Sequence, residues 1–150
     1  MITREVVILH NKAHLSLLSK SKNVGLARLT VATFASELEF TLNEIEEIKV
    51  AVSEAVTNSI IHGYPDKEDK IDIKMEIEDK KIKIVVTDYG VGIPDIDAVL
   101  QPSYSTKEQH MGLGLAFIDS FMDDFNLESE VNGGTVVTML KVPERYKDKE

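Results

Sequence analysis

The sequence predicts an α+β fold, a two-layer α/β sandwich in which a mixed, mostly antiparallel sheet carries helices on one face. Three observations predict it. Residues 23–38 and 41–60 place apolar side chains at helical spacing, so two amphipathic helices follow one another. "KIDIKMEIED" (70–79) and "KIKIVVTD" (81–88) alternate apolar with charged residues, the pattern of a hairpin with one wet face. The order strand–helix–helix–hairpin–loop–helix–hairpin groups the helices instead of alternating them with strands, which disfavours a parallel sheet.

The elements follow in order. "AHLSLLS" (13–19) alternates loosely and reads as a first strand. "NVGLARLTVATFASEL" (23–38) reads as a helix with Asn23 as its N-cap. Thr41 caps the next helix, with Glu44 three residues on as in a capping box. Leu42, Ile45, Ile48, Val52, Val56 and Ile60 supply its buried face, and Gly63 with Pro65 ends it. Asp79-Lys80 turns the central hairpin. "GVGIPD" is loop, residues 96–111 read as irregular and polar, and helix resumes at "GLGLAFIDSFMDDF". "NLESEVNGGTVVTMLKV" closes the chain as a hairpin over Gly133-Gly134. Residues 13–143 form one domain, preceded by an extension, 1–12, and followed by a polar tail, 144–150.

The bulk chemistry excludes several classes. A net charge of −9 argues against direct binding to nucleic acid, which needs a basic face. No run of 18 apolar residues points to a membrane span, and the N-terminus lacks a signal pattern. The absence of cysteine rules out disulfides and thiolate metal sites and fits a cytoplasmic protein.

Three stretches carry candidate chemistry. In "SEAVTNSIIHGYP" (53–65), Glu54, Asn58 and His62 fall four apart, a polar line beside the apolar one. An acid, an amide and an imidazole are an unusual way to solvate a helix. "DYGVGIP" (88–94) puts Asp88 at a strand end before Gly90 and Gly92, a pattern that turn chemistry alone also explains. "MGLGLAF" (111–117) places Gly112 and Gly114 where a helix begins, fit for phosphate or simply for close packing.

In this order, followed by the G-G-T of the last hairpin, the motifs resemble the ATP-binding fold shared by the DNA gyrase B subunit, Hsp90, histidine kinases and the mismatch-repair MutL proteins. The resemblance runs from about Ala13 to Val142. It implies that Asn58 holds Mg²⁺ bridging the ATP phosphates and that Asp88 reads the adenine amine. By the same resemblance Gly90 and Gly92 belong to the base pocket, Gly92 letting the purine approach the backbone. Thr135 supports Asp88 through its hydroxyl or a shared water. Gly112 and Gly114 form the phosphate cradle and lid, to which Thr106 and Lys107 belong.

Within that family the chain is similar to the stand-alone bacterial anti-sigma factors that are also serine kinases. "ARLTVATFASEL", "EIKVAVSEAVTNSIIHGY", "GVGIPDIDAVLQP" and "FMDDFNLESEVNGGT" carry the likeness, which is to the sporulation (sigma F) type, the stress-response (sigma B) type being more distant. The resemblance implies a homodimer that sequesters an RNA polymerase sigma factor with ATP bound and phosphorylates a serine of a STAS-type anti-anti-sigma protein. Glu54 is then the general base, and Arg28, the only charge between Lys22 and Glu37, contacts the partners. A nucleotide-gated binding module without transfer activity, and a stand-alone ATPase or histidine-directed kinase, are the competing readings. The lid "QPSYSTKEQHMGLGLAF" is shorter than usual for the sporulation kinases and has His110 near where an arginine is common.

Overall fold

The structure, a computed structural model, describes residues 10–101 and 106–147, with residues 106–110 described by backbone alone. Most of the expected extension, residues 1–9, and the end of the tail lie outside the described residues, as do the side chains of Thr106, Lys107 and His110.

The elements are β1 (Asn11–Leu18), α1 (Asn23–Ala35), α2 (Leu42–Asn58) running into a π turn (Ser59–Gly63), β2 (Lys70–Glu78) and β3 (Lys81–Asp88). After them come α3 (Ile96–Val99), α4 (Thr106–Phe121), β4 (Asp124–Glu130), β5 (Gly134–Lys141) and a 3₁₀ turn (Glu144–Tyr146). The five strands form one sheet in the order β1-β2-β3-β5-β4. Every pair among them is antiparallel, so the mixed sheet expected from the sequence is in fact wholly antiparallel over the described residues. The reason is that β3 returns to the far edge through α3 and α4, and the hairpin β4–β5 then inserts β5 beside β3.

The β2–β3 register puts Ile71, Ile73, Met75 and Ile77 opposite Asp88, Val86, Ile84 and Ile82 on the helix-covered face. With Ile48, Val52, Val56, Val31 and Ile118 from the helices they form the buried core. The hairpin turn is made where the sequence placed it, with Asp79 and Lys80 both at positive φ. The closing turn spans 131–133, with Asn132 and Gly134 at positive φ.

Three local expectations are corrected. Asn23 does not cap α1; Lys22 stands at that position, and the Asn23 amide instead donates to the Leu18 carbonyl (2.9 Å), tying the helix to β1. The Thr41–Glu44 capping box forms as expected. Leu42, however, is 88% exposed because it is the first helical residue, ahead of the turn that meets the sheet, and Ala51 and Ala55 complete the buried face. Residues 96–111 are not irregular throughout: Asp95 caps α3 by accepting the Ala98 N–H, and α4 begins at Thr106. Buried Met111, Leu115, Ile118 and Met122 form one helical stripe, and that stripe draws the helix back through the glycines.

The residues after β5 dock on the domain. The Glu144 N–H donates to Glu44 (2.9 Å), Arg145 pairs with Glu39, and Lys147 pairs with Asp123 (2.6 Å). No helix among the described residues is long and apolar enough to cross a membrane.

Candidate nucleotide site

A narrow cavity of about 20 Å³ opens between α2, the end of β3, the start of β5 and α4. Asn58, Asp88, Gly92, Thr135, Met111 and Leu115 line it, the last two from α4. The π turn that ends α2 contributes Ser59, His62 and Gly63. Such turns often occur at functional sites.

Asp88 anchors one end of the cavity. It is 2% exposed and pairs across the ladder with Thr135. Burial pushes its carboxyl above the usual range, opposed in part by hydrogen bonds from the Gly90 N–H (3.0 Å), the Ser59 hydroxyl and the Thr135 backbone. An ionised carboxylate offers about four acceptor positions, so three internal donors leave room for one from a ligand.

The glycines around Asp88 are required by the protein itself. A Cβ on Gly63 would lie 2.8 Å from the Asp88 carboxyl, and one on Gly90 would lie 1.9 Å from the Gly63 carbonyl oxygen. Gly92 has φ +77°, and a Cβ there would lie 2.0 Å from the Glu130 carbonyl oxygen. The loop after β3 is thereby pressed against the π turn on one side and β4 on the other.

Two residues of this end were not anticipated. Ser129 Oγ accepts the Ile93 N–H (2.7 Å) and lies 2.9 Å from both the Gly134 carbonyl and Thr135 Oγ1. The Thr135 hydroxyl thus engages Ser129, and Thr135 reaches Asp88 directly through its backbone. Ser129 could have been found: it follows Phe125 and Leu127 at strand spacing, a serine on the covered face of β4. The second is Tyr64, whose hydroxyl accepts the Tyr89 N–H and donates to the Lys70 carbonyl.

Asn58 lines the cavity from α2, and Glu54 stands one turn before it, both half-buried. Burial raises the Glu54 carboxyl above its ordinary value of 4.5. Helix α4 crosses this pair at Gly114, where a Cβ would lie 2.7 Å from Glu54 Oε2 and 3.5 Å from Asn58 Nδ2. Gly112 is similarly close to the Val99 carbonyl, its Cβ position lying 2.9 Å away. Both glycines lie well inside α4, not at its start as the sequence suggested. There the amides face carbonyls four residues back, so in this conformation they form no open anion cradle.

Among the described residues no group of three or more His, Asp or Glu is placed to hold a metal ion by itself. An amide oxygen at Asn58 suits Mg²⁺ only where phosphate oxygens and water complete its shell, which is how that ion usually binds. The donor set therefore fits a magnesium–nucleotide complex.

Arg28 lies apart from the cavity. Its guanidinium is half-buried and donates to Ser53 Oγ (3.3 Å), which donates to the Lys49 carbonyl (2.7 Å). Leu26 and Leu29 beside it on α1 are 51% and 60% exposed.

Comparison with known proteins places this geometry. Residues 17–141 match the histidine kinase-like ATPase domain family. The chain is 46% identical over 136 residues to the anti-sigma F factor of Clostridium acetobutylicum, covering 89% of this chain and 95% of that protein. It is 45% identical to that of Geobacillus kaustophilus over 89% of this chain and 93% of the relative. The histidine kinase domain of the Erythrobacter litoralis EL346 blue-light activated histidine kinase shares the fold at a TM-score of 0.51 and 14% identity, over 81% of this chain and 59% of that one. Its motifs, its sheet and these relatives agree: the chain belongs to the histidine kinase-like ATPase family and, within it, to the anti-sigma F factors.

Proposed function

We propose that the chain is an ATP-dependent serine kinase and anti-sigma factor of the sporulation type, acting in the cytoplasm as a homodimer. With ATP bound it holds a sigma F-type factor away from RNA polymerase. It transfers the γ-phosphoryl group to a serine of a STAS-type antagonist. The observation that carries this reading is the convergence of buried Asp88 and Asn58 on one cavity, with Glu54 one helical turn from Asn58, in a member of the anti-sigma F family.

In this mechanism Asp88 accepts a hydrogen bond from the adenine amine while Gly90, Ser59 and Thr135 keep its carboxylate oriented. Asn58 offers its amide oxygen to Mg²⁺, which when bound neutralises phosphate charge. Gly112 and Gly114, with Thr106 and Lys107, cradle the phosphates once the first turns of α4 open and free their amides. Glu54 takes the proton of the acceptor serine as its oxygen bonds to the γ-phosphorus and the bond to the ADP oxygen breaks. Arg28 and the exposed leucines of α1 meet the sigma factor and the antagonist, and the same helix contributes to the dimer.

The test is phosphotransfer from ATP to the purified STAS protein by wild type and Glu54→Gln. Transfer is expected to fall by about 100-fold or more in the variant, with ATP affinity unchanged. The acidic limb of wild-type kcat/KM is expected above pH 4.5, because burial delays ionisation of Glu54 and the base form appears only as pH rises through the raised value. Transfer at the wild-type rate by Glu54→Gln would exclude the base role, and acid-labile label in the product would exclude a serine acceptor.

A further inference from the structure

Tyr64 lies outside the residues that the nucleotide motifs contribute, yet its hydroxyl joins two backbone segments beside Asp88. The residue directly follows the π turn and is 4% exposed. Its hydroxyl accepts the Tyr89 N–H at 2.7 Å and donates to the Lys70 carbonyl at 2.6 Å. Tyr89 carries the first amide after Asp88, and Lys70 precedes Ile71, the residue opposite Asp88 in the ladder. One buried hydroxyl therefore ties both strands at the height of the acid. A second bond, from the Val91 N–H to the Gly63 carbonyl (2.9 Å), fastens the same loop to the residue before Tyr64. The side chain of Tyr89 is held from the other face of the sheet, where its hydroxyl donates to Asp72 (2.5 Å).

We propose that Tyr64 is a positioning residue for base selectivity. Through the Tyr89 N–H it fixes the direction in which Asp88 presents its remaining acceptor position. It thereby sets the preference for a purine with an amine at C6 over one with a carbonyl oxygen there. The inference rests on Asp88 reading the base, as proposed above. Its physical basis is angular: a hydrogen bond to a carboxylate weakens steeply once the donor leaves the favoured direction. Replacing Tyr64 by phenylalanine keeps the ring in its packing and removes only the hydroxyl, leaving the Tyr89 N–H and the Lys70 carbonyl to seek other partners.

The experiment measures affinity for ATP and inosine triphosphate in wild type, Tyr64→Phe, Tyr89→Phe and Asp88→Asn, at a temperature where circular dichroism shows each folded. Wild type is expected to prefer ATP, and Asp88→Asn to lose that preference. Tyr64→Phe is expected to weaken ATP about tenfold while the inosine nucleotide changes by about twofold or less, so that selectivity, not binding as a whole, collapses. Tyr89→Phe, altered at a half-exposed ring, is expected to move selectivity the same way by about threefold. Equal weakening of both nucleotides, or a lowered melting temperature with selectivity intact in both tyrosine variants, would reduce Tyr64 to a packing residue and overturn the inference. A wild type without preference for ATP, or Asp88→Asn that keeps it, would instead remove the base-reading role of Asp88, and the inference with it.

Discussion

Asp88 lines the cavity and Glu54 stands outside it, one helical turn from Asn58 on its wall, and burial opposes the ionisation of both, yet the protein holds them in different ways. Asp88 is enclosed by backbone: the π turn, the loop after β3 and β5 all donate to it or press on it. Glu54 faces the middle of α4, a helix whose contact there depends on the missing side chain of Gly114. Glycine inside a helix costs roughly 1 kcal/mol relative to alanine, so the two glycines make these turns the cheapest part of α4 to unwind. The Asp88 end is built to stay in place, and the Glu54 end faces a segment that can be rearranged.

The same substitution at each end tests that contrast. Gly90→Ala is expected to have the largest effect, a loss of about 3 kcal/mol or more of folding stability with loss of ATP binding, because its Cβ would meet a backbone carbonyl that has nowhere to go. Urea denaturation measures it, and an alanine tolerated there at wild-type stability would contradict a rigid Asp88 end.

The next effect concerns the buttress behind that end. Burial acts to raise the Asp72 carboxyl, but hydrogen bonds from Tyr89, His14 and Ser16 and the charge of Lys70 outweigh it and bring it down to about 2 from 3.8. The folded state thus binds this proton less readily than the unfolded chain. The resulting stabilisation, roughly 2 kcal/mol, is fully present above pH 3.8 and is lost as pH falls through about 2. Asp72→Asn should therefore flatten the acid dependence of unfolding across that window. Parallel curves for variant and wild type would remove Asp72 from the buttress.

The smallest effect is expected for Gly114→Ala. Its Cβ would meet the flexible end of Glu54, which can rotate away, while helix propensity improves, so stability should change by about 1 kcal/mol or less. Phosphotransfer is expected to fall nonetheless, since Glu54 is displaced and the turn is harder to unwind. A stability loss matching that of Gly90→Ala would erase the distinction between the two ends.

The same contrast governed what could be read from the sequence. Strand alternation in 70–88 fixed the central hairpin and its turn, and the Thr41–Glu44 spacing fixed the start of α2, because each signal is local and each is realised locally. Asn58 and Asp88 were likewise legible, since helix period and strand end put them on the cavity wall, and the same helix period put Glu54 one turn from Asn58. The start of α4 was not. Its first residues are polar and its glycines look like a boundary, while the buried stripe that sustains the helix depends on contact with α2. Tyr64 escaped for a related reason: its partners are backbone groups on other segments, and no side-chain pattern announces them, whereas Ser129 lay within reach of the strand alternation of β4.

The turn that closes α2 has a consequence for the chain's tolerance of insertions and deletions. Each residue of an α-helix advances the direction of its side chain by about 100°. Because Ser59–Gly63 is wound with five residues per hydrogen-bonded ring instead of four, it resets the phase between Asn58, on the cavity wall, and Tyr64, beside Asp88. Removing one residue from this turn would leave every side chain of the motif present and swing Gly63 and Tyr64 off the loop that carries Asp88. The count of residues between the two halves of the site is thus itself part of the site.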